Sequence, residues 1–278
     1  MSVSLIISIY KLQAELPLLI SALAQQSQNP DEIIFAEDDE SLETIEILKK
    51  ESEKYPHLSM KLVQHEDRGF RKAEIVNKAV AIAAYEKLIF LDGDCLPHYG
   101  YVKAYAKNLV KGKVLSSRLV RFLVDQRRFF ESSEGTFKPL SWYQILRNAH
   151  PPQRRYCIHI PFYPVLQRNS SLRGSSWACM KDDFLNVNGY DEKFCIAGYG
   201  YEDTDISHRL NRAGVDSYVA KFSVIYYHFL DRSHATSKTF AMRHNQKLLL
   251  ENDRSKVTRC ELGINQWLDK VGFSWESN

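Results

Sequence analysis

Four segments of this sequence carry side chains that could do chemistry together. Asp92-Gly93-Asp94 sets two carboxylates on either side of a glycine, so both can face one point while the backbone approaches closely. Hard divalent cations prefer such oxygen ligands, and Mg2+ or Mn2+ commonly completes its shell with substrate phosphates. A lone Asp-Gly-Asp reads as a turn; directly after the apolar run 87–91 it reads as a metal site. Glu37-Asp38-Asp39-Glu40 is a run of four acids whose repulsion calls for a cap near Ser41, a cation or ligand donors. Asp39 and Glu40 read as the acidic first turn of the following helix, and Asp38 as the acid directed at a cleft. Glu202, Asp203 and Asp205 follow the glycine-relaxed Gly198-Tyr199-Gly200-Tyr201 and open a helix, where acids are expected from the helix dipole alone. One of them could serve as general base toward an acceptor hydroxyl, while Asp205 and Arg209, four apart, could pair. His228 ends the apolar run 222–227. By itself it reads as a satisfied buried imidazole, and beside a metal as a nitrogen ligand.

These side chains need a scaffold that brings segment ends together. Strands are predicted at Val3–Ile9, 32–36, 60–63 and 87–91, and helices at 13–26, Leu42–Lys54 and 72–85, with Pro17 in the first turn. Strands alternating with helices of this length imply parallel βαβ units and an open sheet covered on both faces, with ligands bound beyond the carboxyl ends of the strands. Two of the acidic clusters fall at such ends. The second half is less regular. Residues 118–173 are rich in Arg, Phe, Tyr and Pro; then come a strand at 177–180, a short helix at 181–187, an amphipathic helix at 202–213 and a strand at 222–227. From His234 the chain reads as polar and helical.

With 278 residues, 37 Lys and Arg against 34 Asp and Glu, and 15 Tyr and 14 Phe, the composition is that of a globular chain and excludes disorder. A net charge of +3 does not argue for nucleic acid. No apolar window is long enough to span a membrane, and the N-terminus reads as a strand rather than a signal peptide. The five cysteines form no Cys-x-x-Cys pair, which points to a reducing, cytoplasmic setting without zinc or a disulfide framework.

Taken in order, LIISIYKLQAELPLLISAL, EIIFAEDDESLET, QHEDRGFRKAEIVNKA, LDGDC and GSSWACMKDDFLNVNGYDEKFCIAGYGYEDTDISHRL resemble the ordered motifs of glycosyltransferase family 2, with the GT-A fold and a galactosyltransferase-like C-terminal motif. The match runs over residues 3–230. It implies a GT-A domain at 1–230, a nucleotide-binding half (1–115) and an acceptor and catalytic half (116–230), on a mostly parallel open sheet, followed by a C-terminal helical extension (231–278). It further implies that Asp38, with Glu37 beside it, contacts a uracil-type base, and that Arg71 and Asn77 support the nucleotide. Lys72 would do likewise or be a solvated helix residue. Asp92 would touch ribose or sugar, Asp94 and His228 would ligate Mn2+ or Mg2+, Asp203 would be the base and Glu202 would orient the acceptor. Gly174 and Trp177 would line the sugar pocket, Trp177 reading equally as core.

Two departures matter. The family usually has Asp-Asp-Gly-Ser where this chain has Glu37-Asp38-Asp39-Glu40, which leaves the base contact open between Glu37 and Asp38. Tyr199 stands where galactosyltransferase relatives usually carry Trp, which leaves the donor sugar open. Retaining relatives carry Glu-Asn where this chain has Glu202-Asp203, so inversion is expected, with a UDP-sugar as donor. Arg121, Arg127, Arg128, Arg147, Arg154, Arg155 and Arg168, interleaved with Phe129, Phe130, Trp142, Tyr143 and Tyr156, mark the acceptor region, read either as a clamp for a phosphorylated glycolipid such as a lipopolysaccharide or capsule precursor, or as a solvated insertion. Membrane contact, if any, would be peripheral. A nucleotidyltransferase would also use paired acids on an α/β sheet, but needs a glycine-rich phosphate loop where this chain reads Tyr10-Lys11-Leu12-Gln13. A polysaccharide- or RNA-binding module would leave the carboxylates at three segment ends unexplained.

Overall fold

The computed structural model describes residues 2–121, 127–160, 165–168, 172–195, 201–228 and 238–277. Through the first third, β1 (Val3–Ile9), α1 (Leu16–Ala24), β2 (Glu32–Glu37), α2 (Leu42–Lys54), β3 (Met60–Gln64), α3 (Lys72–Ile82) and β4 (Lys87–Asp92) alternate as the apolar pattern predicts. The four strands lie parallel in the order β3-β2-β1-β4, because each carries helix-covered apolar residues on both faces. Register brings their carboxyl ends level: Glu37 pairs with Ile9 and Gln64, and Asp92 with Ser8.

The boundaries have local causes. Helix α1 keeps Pro17 in its first turn as expected, but starts at Leu16 after a turn in which the Glu15 amide donates to the Leu12 carbonyl. Helix α2 is capped by Ser41, whose hydroxyl accepts from the Thr44 amide. Glu37 therefore ends β2, and the acids at 38–40 lie in the β2–α2 connection, not in the first turn as Asp39 and Glu40 were expected to. Helix α3 stops at Ile82, short of the expected 85, because the next amides are claimed by strand side chains: Ala84 donates to Glu32 (2.6 Å) and Tyr85 to Ser4 (3.2 Å).

Beyond β4 follow β5 (Cys95–Pro97), α4 (Tyr101–Asn108), β6 (Lys113–Ser116), β7 (Arg118–Arg121), α5 (Arg127–Phe130), α6 (Trp142–Asn148), β8 (Val165–Arg168), β9 (Ser176–Met180), α7 (Lys181–Asn186), α8 (Glu202–Arg212), β10 (Asp216–Lys221), β11 (Ile225–His228), α9 (Lys238–Arg254) and β12 (Trp275–Glu276). The main sheet runs β12-β3-β2-β1-β4-β9-β6-β10-β8, and a second runs β5-β11-β7. Strand β9 is antiparallel to both β4 and β6, and β8 and β12 are antiparallel edges. The expectation of a mostly parallel sheet thus holds for the first four strands, while the whole sheet is mixed. The strand expected at 222–227 begins only at Ile225, since Phe222 adopts a left-handed φ of 64° that breaks the chain direction after β10.

The C-terminal segment, expected as a separate helical extension, is stitched into the same body. Asp253 of α9 takes Arg212 and His208 of α8 at 2.9 Å each. Asn188 bonds the Cys260 carbonyl and the Ile264 and Asn265 amides, and Glu192 accepts from Trp267 and Gln266 at 2.7 Å each. Strand β12 then covers the outer edge of β3. Among the described residues of this stretch only α9 is a regular α-helix, and it ends at Arg254.

Candidate active site

An open cleft of about 1240 Å³, part of it solvent, lies beyond the carboxyl ends of β1, β2 and β4, with Asp38, Lys72, Asp92, Asp94 and Glu202 in its walls. Asp92 ends β4. Its carboxylate accepts from the Ser8 hydroxyl (2.9 Å) and pairs with the Lys72 ammonium (2.7 Å). Gly93 follows because a Cβ there would run into Ile9 and Leu12, while its amide donates to the Ser8 carbonyl at 2.8 Å. The glycine turns Asp94 toward β11, where His228 is the register partner of Cys95. Asp94 Oδ2 lies 3.1 Å from His228 Nε2, and the Cys95 thiol donates to Asp94 Oδ1 at 3.4 Å.

Ligand atoms of Asp94, Cys95 and His228 lie within 4.8 Å of one another, the one such group among the described residues. Burial pushes the Cys95 thiol well above its usual range, so it stays protonated and acts as a donor to Asp94. Burial opposes ionisation of Asp94 too, but His228 and the Cys95 bond outweigh it and hold its carboxyl below the ordinary value. A carboxylate kept ionised beside an imidazole fits a divalent ion that takes mixed oxygen and nitrogen ligands, such as Mn2+; the thiol does not take part.

Lys72, at the start of α3, is the cation of the cleft. Burial works against its charge, but Asp92, Asp203 and Glu202 overcome it and raise its pKa. Of the two readings open for it, a solvated helix residue is excluded: its side chain is 18 % exposed and is paired. The pKa of Asp92 moves in the same direction, which for an acid favours the neutral form. Burial, with Asp94 and Asp203 nearby, raises its pKa despite the lysine.

On the nucleotide side the structure separates Glu37 from Asp38. Glu37 is 1 % exposed and accepts from the Thr44 hydroxyl, from Gln64 at 2.5 Å and from Gln13 at 3.5 Å. Burial raises its pKa to about 7. Its oxygens are consumed in tying β2 to α2 and β3, which leaves Asp38 as the acid of this pair that borders the cleft. Asp38 borders the cleft, with His65 Nε2 at 2.6 Å and the Arg71 amide at 2.8 Å on its two oxygens. Arg71 supports this wall through its backbone, its guanidinium being taken by Glu74 and the Glu66 carbonyl. His65 gave no signal in the sequence.

Asn77 does not border the cleft. It is fully buried and exchanges hydrogen bonds with the Tyr190 backbone, donating to its carbonyl and accepting from its amide at 2.9 Å each. Nor does Trp177 line a pocket: it is fully buried and stacked on Phe90 at 4.2 Å, which settles it as core.

Helix α8 delivers the remaining acids. Tyr201 at φ 60° turns the chain into the helix, and Gly198, Tyr199 and Gly200 lie outside the described residues. Glu202 is 5 % exposed, with a buried oxygen, Oε2, that has no partner among the described residues. Burial and then the charge of Asp203 raise its pKa to about 8. Asp203 accepts from the Tyr190 hydroxyl (3.0 Å), which in turn accepts from Trp177 Nε1 (3.1 Å). Gly174 packs under this carboxylate, where any Cβ would collide with it. It also borders, with Lys72, Asp92 and Tyr190, a small space behind the cleft. Tyr190 went unrecognised because its partner depends on the fold rather than on spacing. Asp205 and Arg209 do pair, 2.6 Å apart and fully buried, as a structural link.

The pattern of acids, lysine and imidazole at strand ends is matched by sequence comparison. The model of glycosyl transferase family 2 covers residues 4–163, more than half of the chain. This chain belongs to glycosyltransferase family 2. A second model, described as the N-terminal domain of galactosyltransferase, matches residues 154–235. Validoxylamine A glucosyltransferase from Streptomyces hygroscopicus subsp. limoneus is 25 % identical over 238 residues, 79 % of this chain and 50 % of that protein. The chain thus spans about half the length of its curated relative. Among solved structures, S. aureus TarS 1-349 in complex with UDP-GlcNAc has a TM-score of 0.60 at 16 % identity, over 96 % of this chain and 69 % of that one. The mannosyltransferase PcManGT from Pyrobaculum calidifontis, in complex with GDP-Man and Mn2+, has a TM-score of 0.56 at 16 % identity, over 91 % and 63 %. These neighbours are GT-A glycosyltransferases and share the fold. Membership in the family replaces both the nucleotidyltransferase and the non-catalytic readings.

Proposed function

We propose that this family 2 chain transfers a sugar from a nucleotide-sugar donor, a UDP-sugar, to a hydroxyl of a glycan or glycolipid used in bacterial surface polysaccharide, working in the cytoplasm with inversion at the anomeric carbon. The observation that carries the reading is the convergence of Asp92, Asp94, Glu202 and Lys72, from three separate elements, on one cleft. Of the two neighbours just described, one is in complex with UDP-GlcNAc and the other with GDP-Man and Mn2+, which supports the donor class and, from the second, the metal.

Each residue then has a task. Asp38 faces the base, held in position by His65 and the Arg71 amide. Asp94 and His228 would hold Mn2+, or Mg2+ in its place, which when bound supplies Lewis-acid stabilisation of the leaving diphosphate. Lys72 adds a permanent positive charge beside Asp92, where the sugar-diphosphate linkage would lie. Asp203 takes the proton of the acceptor hydroxyl as its oxygen bonds to the anomeric carbon and the bond to the diphosphate breaks; help of this kind is worth ~10²–10⁴-fold in rate. Glu202, protonated at neutral pH, donates a hydrogen bond that orients the acceptor. The acceptor side is assigned to the arginine- and aromatic-rich stretch, of which the side chains of Arg127 and Arg128 lie outside the described residues.

The test is a panel of nucleotide sugars with Mn2+, scored for donor hydrolysis. The wild type should cleave one donor class, and Asp203→Asn should lose turnover while still binding nucleotide. Full activity of Asp203→Asn would remove the base assignment.

A further inference from the structure

Between Glu134 and Asp182 the sequence holds no acidic residue but seven Lys and Arg, in a chain whose other residues sum to a net −4. Five of these cations, Lys138, Arg147, Arg154, Arg155 and Arg168, are exposed; Arg168 pairs with Asp216, and among the described residues the other four have no acidic partner. The same stretch turns apolar side chains outward. Helix α6 is closed at its start by a capping box, Ser141 with Gln144, and anchored by buried Ile145 and Ala149. That leaves Trp142 71 % exposed, Tyr143 58 % and Leu146 37 %, with Ile158 at 53 % further along.

We propose that this face seats the protein on an anionic lipid surface, with Trp142, Tyr143 and Leu146 at the headgroup boundary and Arg147, Arg154 and Arg155 on the headgroup charges. Trp and Tyr favour that boundary because one part of each ring system is apolar and another polar. Arginines supply the attraction that a short apolar patch lacks. A soluble polyanion would also meet the cations, but it offers nothing to the aliphatic Leu146 and Ile158, which gain only where water is excluded. The face is joined to the centre of the cleft. The His150 amide after α6 donates to the Arg121 carbonyl at 2.8 Å, and Arg121 is the register partner of His228. The Arg118 guanidinium also stacks on Tyr156 at 4.7 Å. A lipid surface at this face would therefore stand on the acceptor side of the site.

Flotation with phosphatidylcholine vesicles and with equimolar phosphatidylcholine–phosphatidylglycerol vesicles tests this without any sugar transfer, so its outcome is separate from that of the donor and base assignments. Binding is expected on the anionic vesicles alone and should weaken as NaCl rises from about 0.1 M to about 0.5 M. Arg154→Gln with Arg155→Gln should cost about fivefold per residue. The fluorescence blue shift on vesicles should vanish in Trp142→Phe, and all variants should keep the wild-type melting temperature because these side chains are exposed. Equal binding to both vesicle types, or binding unchanged in these variants, would overturn the proposal. So would displacement from the vesicles by soluble polyphosphate or RNA at equal charge, which would assign the face to a free polyanion.

Discussion

Asp203 and Glu202 are neighbours in sequence, but burial gives them different chemistry. Glu202 has a buried oxygen with no partner among the described residues and stays protonated to about pH 8, so it can donate; Asp203 receives a hydrogen bond from Tyr190 and can accept a proton. Tyr190→Phe removes that donor without opening a cavity. A hydrogen bond to a charged group is worth about 1.5–3 kcal/mol, so kcat should fall ten- to a hundredfold while nucleotide affinity holds. Steady-state kinetics with UDP titration would show it; an equal loss in both would mean that the tyrosine only holds the fold. Gly174→Ala should push Asp203 aside and abolish turnover, again with nucleotide affinity kept. The sequence made the acids of this site visible, because carboxylates at strand and helix ends are local patterns. Tyr190 and His65 were invisible, since their meaning lies in partners 13 and 27 residues away. Asn77 was placed at the nucleotide and Trp177 stayed open between pocket and core for the related reason that a motif position does not say which way a side chain faces.

At the scale of elements, β2 and α2 are tied through the buried carboxyl of Glu37. Burial raises Glu37 from its unfolded value near 4.5 to about 7, so the folded state binds its proton more tightly between those limits. The stability this group gives is therefore present at acid pH and lost as pH rises through 7. The amount is at most about 3 kcal/mol. Relative to wild type, Glu37→Gln should gain stability from pH 5 to about pH 7 and level off above it in urea unfolding. A difference independent of pH would show that the carboxyl does not titrate in this range. Glu74 has the opposite sign: His65 and Lys78 outweigh burial and hold it at about 2, so its contribution is lost as pH falls through that value. The alternating first half of the fold was legible because period and strand composition act over few residues. The antiparallel insertion of β9 was not, since pairing depends on the route of the chain between elements.

For the whole molecule, the segment after α9 closes the body. Ile264 is fully buried against the α3 and α7 side of the sheet, and its amide bonds to the Asn188 carbonyl. Ile264→Ala should cost about 2–4 kcal/mol in urea unfolding; no change would return the segment to the status of an appendage. Its polar sequence hid this, because its contacts are single anchors, Ile264 and Trp267, rather than a periodic face. The central claim is that distant acids meet around one cation and one activated sugar. Calorimetric titration of UDP into the protein, with and without Mn2+, tests it most directly. Mn2+ should strengthen UDP binding to wild type and to Asp203→Asn and have no effect on Asp94→Ala, whereas the same Mn2+ dependence in Asp94→Ala would contradict the account.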